Sequence, residues 1–107
     1  METRDCINYI IDFINSKYGM VYNSKYKKLH VYNYCLAMCD ETIDDMKIKT
    51  IVDSTIDYLV EHDYIVRFKH AFMTRKVIDD SFNLDLYFES NNNKLKYKKV
   101  NKHLLNF

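Results

Sequence analysis

The chain has 107 residues, of which 48% are hydrophobic and 15% aromatic, and its formal net charge is +1. This length and composition predict a single domain over residues 1–107 with a buried core, and they exclude a disordered chain. Proline is absent and Gly19 is the only glycine, which excludes the glycine-rich phosphate loops and the nucleophile elbow of hydrolases.

Before residue 40 the apolar pattern predicts two helices. The first covers residues 3–17, because four isoleucines recur at helical spacing: Ile7, Ile10, Ile11 and Ile14. Gly19 is expected to end it. The second helix is predicted over residues 29–39, with a buried side formed by Leu29, Tyr32, Leu36 and Cys39.

A third helix is predicted to begin at Thr50, where Asp53 stands in the position that Glu or Gln holds in a capping box. Just before it, Asp40 and Thr42 are expected to cap a short turn. The core side of the third helix is formed by Val52, Ile56, Leu59 and Val60. This helix is expected to end near Asp63, because the apolar period changes from 3.6 to 2 after that residue.

Two hairpins are predicted after Asp63. The first covers residues 64–77, and its connection at 69–71 lacks Gly and Asn, which favours a loose loop over a tight turn. The second combines an alternating strand over 82–89, a turn at 91–93 and a partner strand over 94–100, with Glu89 opposite Lys96. The predicted fold class is therefore α+β, with about three N-terminal helices followed by an antiparallel β-meander or two hairpins.

One segment within residues 50–77 resembles a known family. The spacing Ile51-x4-Ile56-Asp57-x-Leu59-Val60-Glu61-x2-Tyr64-Ile65-x-Arg67 is similar to the last helix and first wing strand of winged-helix domains, including the one at the C-terminal end of cullins. The resemblance implies a winged-helix-like fold. It also implies one of two functions, which are holding nucleic acid and docking a protein.

The last helix carries a row of carboxylates on its predicted exposed side, at Asp53, Asp57 and Glu61. In winged helices that read DNA this helix usually enters the major groove, where the row would meet about one phosphate charge per 1.7 Å of duplex. We therefore expect no base readout by this helix. A carboxylate row instead suits a basic protein partner.

Positive charge is concentrated in the second part of the chain. Residues 1–63 hold seven basic and eleven acidic groups, whereas residues 64–107 hold nine basic and four acidic groups. The candidate phosphate-binding residues are Arg67, Lys69, Arg75, Lys76, Lys94, Lys96, Lys98 and Lys99. The alternative interpretation is that these side chains only solvate the sheet and protect an edge strand from aggregation.

Sites for catalysis and metal binding find little support in the sequence. Cys35 and Cys39 lack the second ligand pair of a structural zinc site, and the carboxylates between 79 and 89 lack the Glu-x-Lys of metal-dependent nucleases. We expect no enzyme activity, no cofactor and no metal. Three cysteines are too few for a disulfide framework, which favours reduced thiols in an intracellular compartment, cytoplasm or nucleus.

The leading hypothesis is a small non-enzymatic protein that binds DNA or RNA through phosphate contacts made by basic hairpins. The alternative is a protein-interaction module that docks through the acidic helix face or forms a homodimer. No apolar run is long enough for a membrane span, so we expect no membrane partner. The abundance of Lys, Asn, Ile, Tyr and Asp resembles proteins of AT-rich large DNA viruses such as poxviruses, which implies a viral factor in an infected host cell.

Overall fold

The computed structural model describes residues 3–39, 43–80 and 82–95. The described elements are, in chain order, α1 (Thr3–Ser16), β1 (Lys25–Tyr26), α2 (Lys28–Met38), α3 (Asp45–Glu61), β2 (Ile65–Phe68), β3 (Ala71–Thr74) and α4 (Leu84–Leu95). The strands form an antiparallel sheet of order β1-β3-β2. This combination confirms the α+β class.

The first helix follows its apolar stripe. Ile7, Ile10 and Ile14 of α1 are fully buried, which confirms the helix predicted over 3–17. The chain turns after it at Gly19, whose φ of +73° lies in the left-handed region that glycine adopts at little cost. From there the chain reaches β1, a strand of two residues that the sequence pattern did not predict.

The second helix is present, and its predicted buried side is partly correct: Tyr32 is buried, and Leu36 and Cys39 pack half-buried against the core. Val31, Tyr32 and Cys35 are the buried residues of α2, whereas Leu29 is exposed. The reason is that α2 packs against α1 and α3 at the same time. Small side chains at Val31 and Cys35 allow these helices to approach closely, and this turns Leu29 outward.

The third helix begins five residues earlier than predicted, at Asp45. Thr50 therefore lies inside the helix, where its hydroxyl donates to the carbonyl oxygen of Met46 at 3.0 Å, and the predicted capping box is wrong. Good helix formers between 45 and 49, together with the buried Ile48, extend the helix backwards. Of the predicted core stripe, Val52, Ile56 and Leu59 are fully buried and Val60 is half-buried. The expected caps at residues 40 and 42 lie outside the described residues.

The first hairpin forms with a tight turn, and the predicted loose loop is wrong. Phe68 pairs with Ala71, so that only Lys69 and His70 connect the two strands. Lys69 adopts a φ of +58°, a conformation that costs a non-glycine residue roughly 1–2 kcal/mol. The two-residue connection matches the twist of the paired strands, and the ladder between them outweighs this local cost.

The second predicted hairpin is wrong, because residues 84–95 form the helix α4. Asn83 caps it: its side-chain oxygen accepts from the backbone N–H groups of Asp85 at 2.9 Å and Leu86 at 3.1 Å. Tyr87 is buried and Leu86 is 57% exposed, which is the reverse of what a strand would need. Glu89 accordingly lies in a helix, and residues 96–100 of the proposed partner strand lie outside the described residues.

A short chain of hydrogen bonds joins the sheet to the helices. The Thr74 hydroxyl donates to the carbonyl oxygen of Ile14 at 2.7 Å, so its oxygen accepts from the Tyr26 hydroxyl at 2.8 Å. These buried contacts connect β1, β3 and α1. Burial raises the pKa of Tyr26 to about 12.

Candidate nucleic-acid interface

The three-stranded sheet has an inner and an outer face. Tyr26 pairs with Phe72, which pairs with Arg67, and this row points inward, since Tyr26 and Phe72 are buried. Side chains alternate along a strand, so the neighbouring positions point outward. The outer face is formed by Lys25, Val66, Phe68, Ala71 and Met73.

The outer face is apolar and accessible. Phe68 is 47% exposed, and Val66 and Met73 are each 38% exposed. The Lys25 ammonium lies 4.1 Å from the centroid of the Phe68 ring. This face therefore offers an aromatic ring beside a cation, the two features with which proteins hold bases and phosphates.

Arg67 lies at the edge of the inner row and remains 57% exposed at its side chain. Its guanidinium lies 5.0 Å from the centroid of the Phe72 ring and 3.9 Å from a carboxylate oxygen of Asp57. An ion pair of this length at an exposed site contributes little to stability. Arg67 can therefore exchange Asp57 for another anion at little energetic cost.

The other hairpin cations lie at its two ends. Lys69 is exposed in the tight turn. At the opposite end Arg75 and Lys76 both donate their backbone N–H groups to the carbonyl oxygen of Tyr64, at 2.9 and 3.2 Å, so that two residues face one as in a β-bulge. Within the described ranges Lys69 and Arg75 make no ion pair, and the Lys76 ammonium lies 4.6 Å from the Tyr64 ring centroid.

Pairing of β1 with β3 joins two segments that contain no carboxylate side chain. Residues 13–39 hold four lysines and no acid, and residues 64–78 hold four basic residues and no acid. All three strands come from these segments. The sheet and its turns consequently carry positive charge, although the whole chain is nearly neutral.

The remaining candidate cations were expected on a second hairpin, whose place is taken by α4. Lys94 belongs by its backbone to this helix. Lys96, Lys98 and Lys99 lie outside the described residues. The structure thus places Arg67, Lys69, Arg75 and Lys76 along one hairpin and Lys94 on α4.

The carboxylate row of α3 is not the exposed surface that its spacing predicted. Asp53 is 5% exposed and forms an ion pair with the Lys28 ammonium, which also lies 3.2 Å from Asp57. Asp57 is half-buried and Glu61 is exposed. The correction has a physical reason: Lys28 comes from the first turn of α2 and covers the first two acids, and periodicity within α3 cannot reveal this arrangement.

The middle of α3 is enclosed on every side. Six consecutive residues, 51–56, are buried, and a helix turns once in about 3.6 residues, so no side of it faces solvent there. Part of the cover comes from α4, where the Tyr87 hydroxyl and the Thr55 hydroxyl lie 2.8 Å apart. The Tyr87 ring also meets the ring of Tyr58 edge-on, with 4.9 Å between centroids. In this arrangement α3 cannot enter a DNA groove with its middle turns.

The three cysteines belong to α1 and α2 or directly follow α2. Cys6 of α1 and Cys35 of α2 are buried and free, and Cys39 is half-buried. A hydrogen bond with Cys35, together with burial, raises the pKa of the Cys6 thiol well above its usual range. Among the residues that the structure describes, no group of three or more His, Cys, Asp and Glu side chains is placed to hold a metal ion.

Lys25 and the outer face of the sheet were not predicted from the sequence. Residues 20–28 show no clear period, because β1 contributes only two residues to the sheet. One indication was present in the sequence, namely the absence of acids from both 13–39 and 64–78. Knowledge of their pairing was needed to see that these segments form one surface.

Comparisons with known proteins returned no match: no family model, no curated protein and no solved structure is similar to this chain. Over the described part of the chain, no helix is both long enough and apolar enough to cross a membrane.

Proposed function

We propose that this protein is a small non-enzymatic nucleic-acid-binding protein with a winged-helix-like arrangement, and that it contacts phosphates through the basic β2–β3 hairpin. The observation that carries the proposal is the sheet built from two segments without acids, on which Lys25, Lys69, Arg75 and Lys76 are exposed. Such a surface attracts a polyanion, because its own strands and turns contribute no carboxylate.

The order of elements supports the winged-helix part of the proposal. The chain runs helix, strand, two helices and a two-stranded wing, and β1 pairs with the second wing strand. The wing of such domains commonly touches phosphates. Since α4 and Lys28 cover the middle of α3, the wing is better placed than this helix to contact phosphates.

The test is a fluorescence anisotropy titration of labelled DNA and RNA oligonucleotides at low salt. We expect binding whose logarithmic affinity falls linearly with the logarithm of salt concentration. Charge reversal in the double variant Lys69→Glu/Arg75→Glu is expected to weaken binding at least tenfold. It should also reduce the salt slope by about 1 for each phosphate that the variant no longer neutralises.

A matched control is Lys47→Glu. Lys47 is exposed in the first turn of α3, and Glu61 at the other end of that helix lies about 21 Å away at 1.5 Å per residue, just before the hairpin. This control changes the net charge by the same amount as each substitution of the double variant, and it should leave the affinity for the oligonucleotides nearly unchanged. Absence of binding to every oligonucleotide at low salt would refute the proposal.

A protein partner is the second candidate function, and the exposed apolar outer face of the sheet favours it. A self-complementary pair of such faces would give a homodimer. The acidic row is a weaker docking surface than its sequence implied, because Lys28 already neutralises Asp53. Sedimentation equilibrium decides the homodimer: a concentration-dependent rise in mass that Phe68→Lys abolishes would support it.

A further inference from the structure

We infer that the ligand of the sheet is single-stranded nucleic acid, with an unpaired base stacked on the ring of Phe68. The inference rests on the proposed function and specifies its substrate class. It follows from the outer face of the sheet, which presents an exposed aromatic ring beside the Lys25 ammonium on an otherwise apolar surface, rather than phosphate-binding cations alone.

The surroundings of Phe68 leave room for a flat ligand. Its cross-strand partner on the outer face is Ala71, whose side chain is a single methyl group. The Lys25 ammonium covers the ring at 4.1 Å from its centroid, at the end of a flexible four-carbon stem. About half of Phe68 is exposed, and the ammonium that lies over its ring can move away.

Binding of a nucleotide would exchange partners on this face. The phosphate of the nucleotide attracts the Lys25 ammonium, and the base takes the place of the ammonium on the ring. An exposed cation–π contact is weaker than the stacking of a base on an aromatic ring, so the exchange favours the complex. Exposed Val66 and Met73 extend the apolar surface on which the base rests.

A duplex cannot make the same contacts. Its bases are stacked on one another, and they present only their edges in the grooves. Those edges are read by a helix or by a two-stranded ribbon. The middle of α3 is enclosed by α2 and α4, and the outer side of the β2–β3 ribbon carries only apolar side chains at Val66, Phe68, Ala71 and Met73, which cannot hydrogen-bond a base edge. A flat sheet with one exposed ring fits an unpaired base, in the way that stacking platforms hold single strands.

The test compares an unstructured 12-nucleotide DNA strand with the duplex of the same sequence, by anisotropy at one low salt concentration. We expect the single strand to bind at least tenfold more tightly. Phe68→Leu keeps the apolar volume but removes the ring, and it should weaken single-strand binding by roughly 5- to 150-fold, the effect of removing one stacked base. Binding to the duplex should change less than twofold.

A second variant reports on stacking directly. The chain contains no tryptophan, so Phe68→Trp places a single tryptophan on the outer face, whose emission can be followed apart from that of the tyrosines. We expect this variant to retain affinity for the single strand and its fluorescence to be quenched on binding. Lys47→Glu is again the charge control. Circular dichroism checks that each variant is folded, as expected for a half-exposed position.

The outcomes separate this inference from the function on which it rests. If charge reversal at Lys69 and Arg75 abolishes binding while Phe68→Leu leaves it unchanged, the sheet contacts phosphates only and the inference is overturned. Equal affinity for duplex and single strand would overturn it too. Loss of self-association in Phe68→Leu without any effect on oligonucleotide binding would assign the face to a second copy of the chain. If no oligonucleotide binds the unmodified protein, the proposed function fails as well.

Discussion

Lys28 shows how a single residue changes the meaning of a sequence pattern. Three carboxylates spaced by four on α3 predict an acidic surface, and two of them instead face one ammonium from another helix. The side chains of Lys28 and Asp53 are 14% and 7% exposed, so both charges are largely removed from water. A contact across 25 positions of sequence is fixed by how the helices pack, and spacing within one helix does not contain it.

We predict that Lys28→Ala lowers the free energy of unfolding by about 3–5 kcal/mol, because it leaves the buried carboxylate of Asp53 without its partner. The double variant Lys28→Ala/Asp53→Ala should lose less than the sum of the single variants. Urea unfolding followed by circular dichroism measures these values. Lys47→Ala, on an exposed lysine, should stay within about 0.5 kcal/mol of the unmodified protein. Additive effects of the single variants would contradict the buried pair.

Tyr26 makes stability depend on alkaline pH. Burial raises its pKa to about 12, against 10 for the unfolded chain, so the folded state holds the phenolic proton more tightly. The corresponding stability is fully present below pH 10 and is lost as the pH rises towards 12. We expect the difference in unfolding free energy between the unmodified protein and Tyr26→Phe to shrink across that range. A difference that stays constant from pH 9 to 12 would contradict this account.

At the scale of elements, helices in the first part of the chain were predictable and the last element was not. The isoleucine stripe of α1 favours a helix, because in a strand Ile10 and Ile14 would fall on the polar side together with Asn8 and Asp12. Residues 82–89 fit both periods: Phe82, Leu84, Leu86 and Phe88 alternate, and Leu84, Tyr87 and Phe88 also fall on one helical face. Packing favours the helix over the strand, because in the helix the Tyr87 side chain contacts Thr55 and Tyr58.

The Asn83 cap is the local feature that favours the helix, and it gives a test of α4. Asn83→Ala removes the acceptor for the N–H groups of Asp85 and Leu86, and we expect a decrease of about 1 kcal/mol in unfolding free energy. Asn83→Asp keeps an acceptor at the same place and should retain most of the unfolding free energy that Asn83→Ala loses. Urea titration of the three proteins provides the comparison. An equal decrease in both variants would show that capping is not the role of Asn83.

The whole molecule is nearly neutral, but its acidic and basic residues are distributed unevenly along the chain. The chain carries 16 basic and 15 acidic residues, and no acid falls in the two segments from which the sheet is built. The α+β class was predicted from the apolar periods together with the composition. The charge counts along the sequence indicated that the hairpin after Asp63 is basic. The joining of the two acid-free segments into one sheet could not be predicted, because it depends on β1 pairing with β3 across roughly 45 intervening residues.

This division of charge predicts a link between ligand binding and thermal stability. At a free oligonucleotide concentration of 100 times Kd, a ligand that binds only the folded protein stabilises it by about 2.7 kcal/mol. We therefore expect the single-stranded 12-nucleotide probe to raise the Tm by several degrees at low salt, as measured by differential scanning calorimetry. The rise should disappear at about 1 M salt, since counterion release no longer favours phosphate binding there. Lys69→Glu/Arg75→Glu should show the Tm of the unmodified protein without ligand and a clearly smaller rise with it, because both side chains are exposed and their replacement weakens binding rather than packing. A rise that persists at high salt would mean that the sheet holds its ligand mainly through apolar contacts, contrary to the phosphate binding proposed for it.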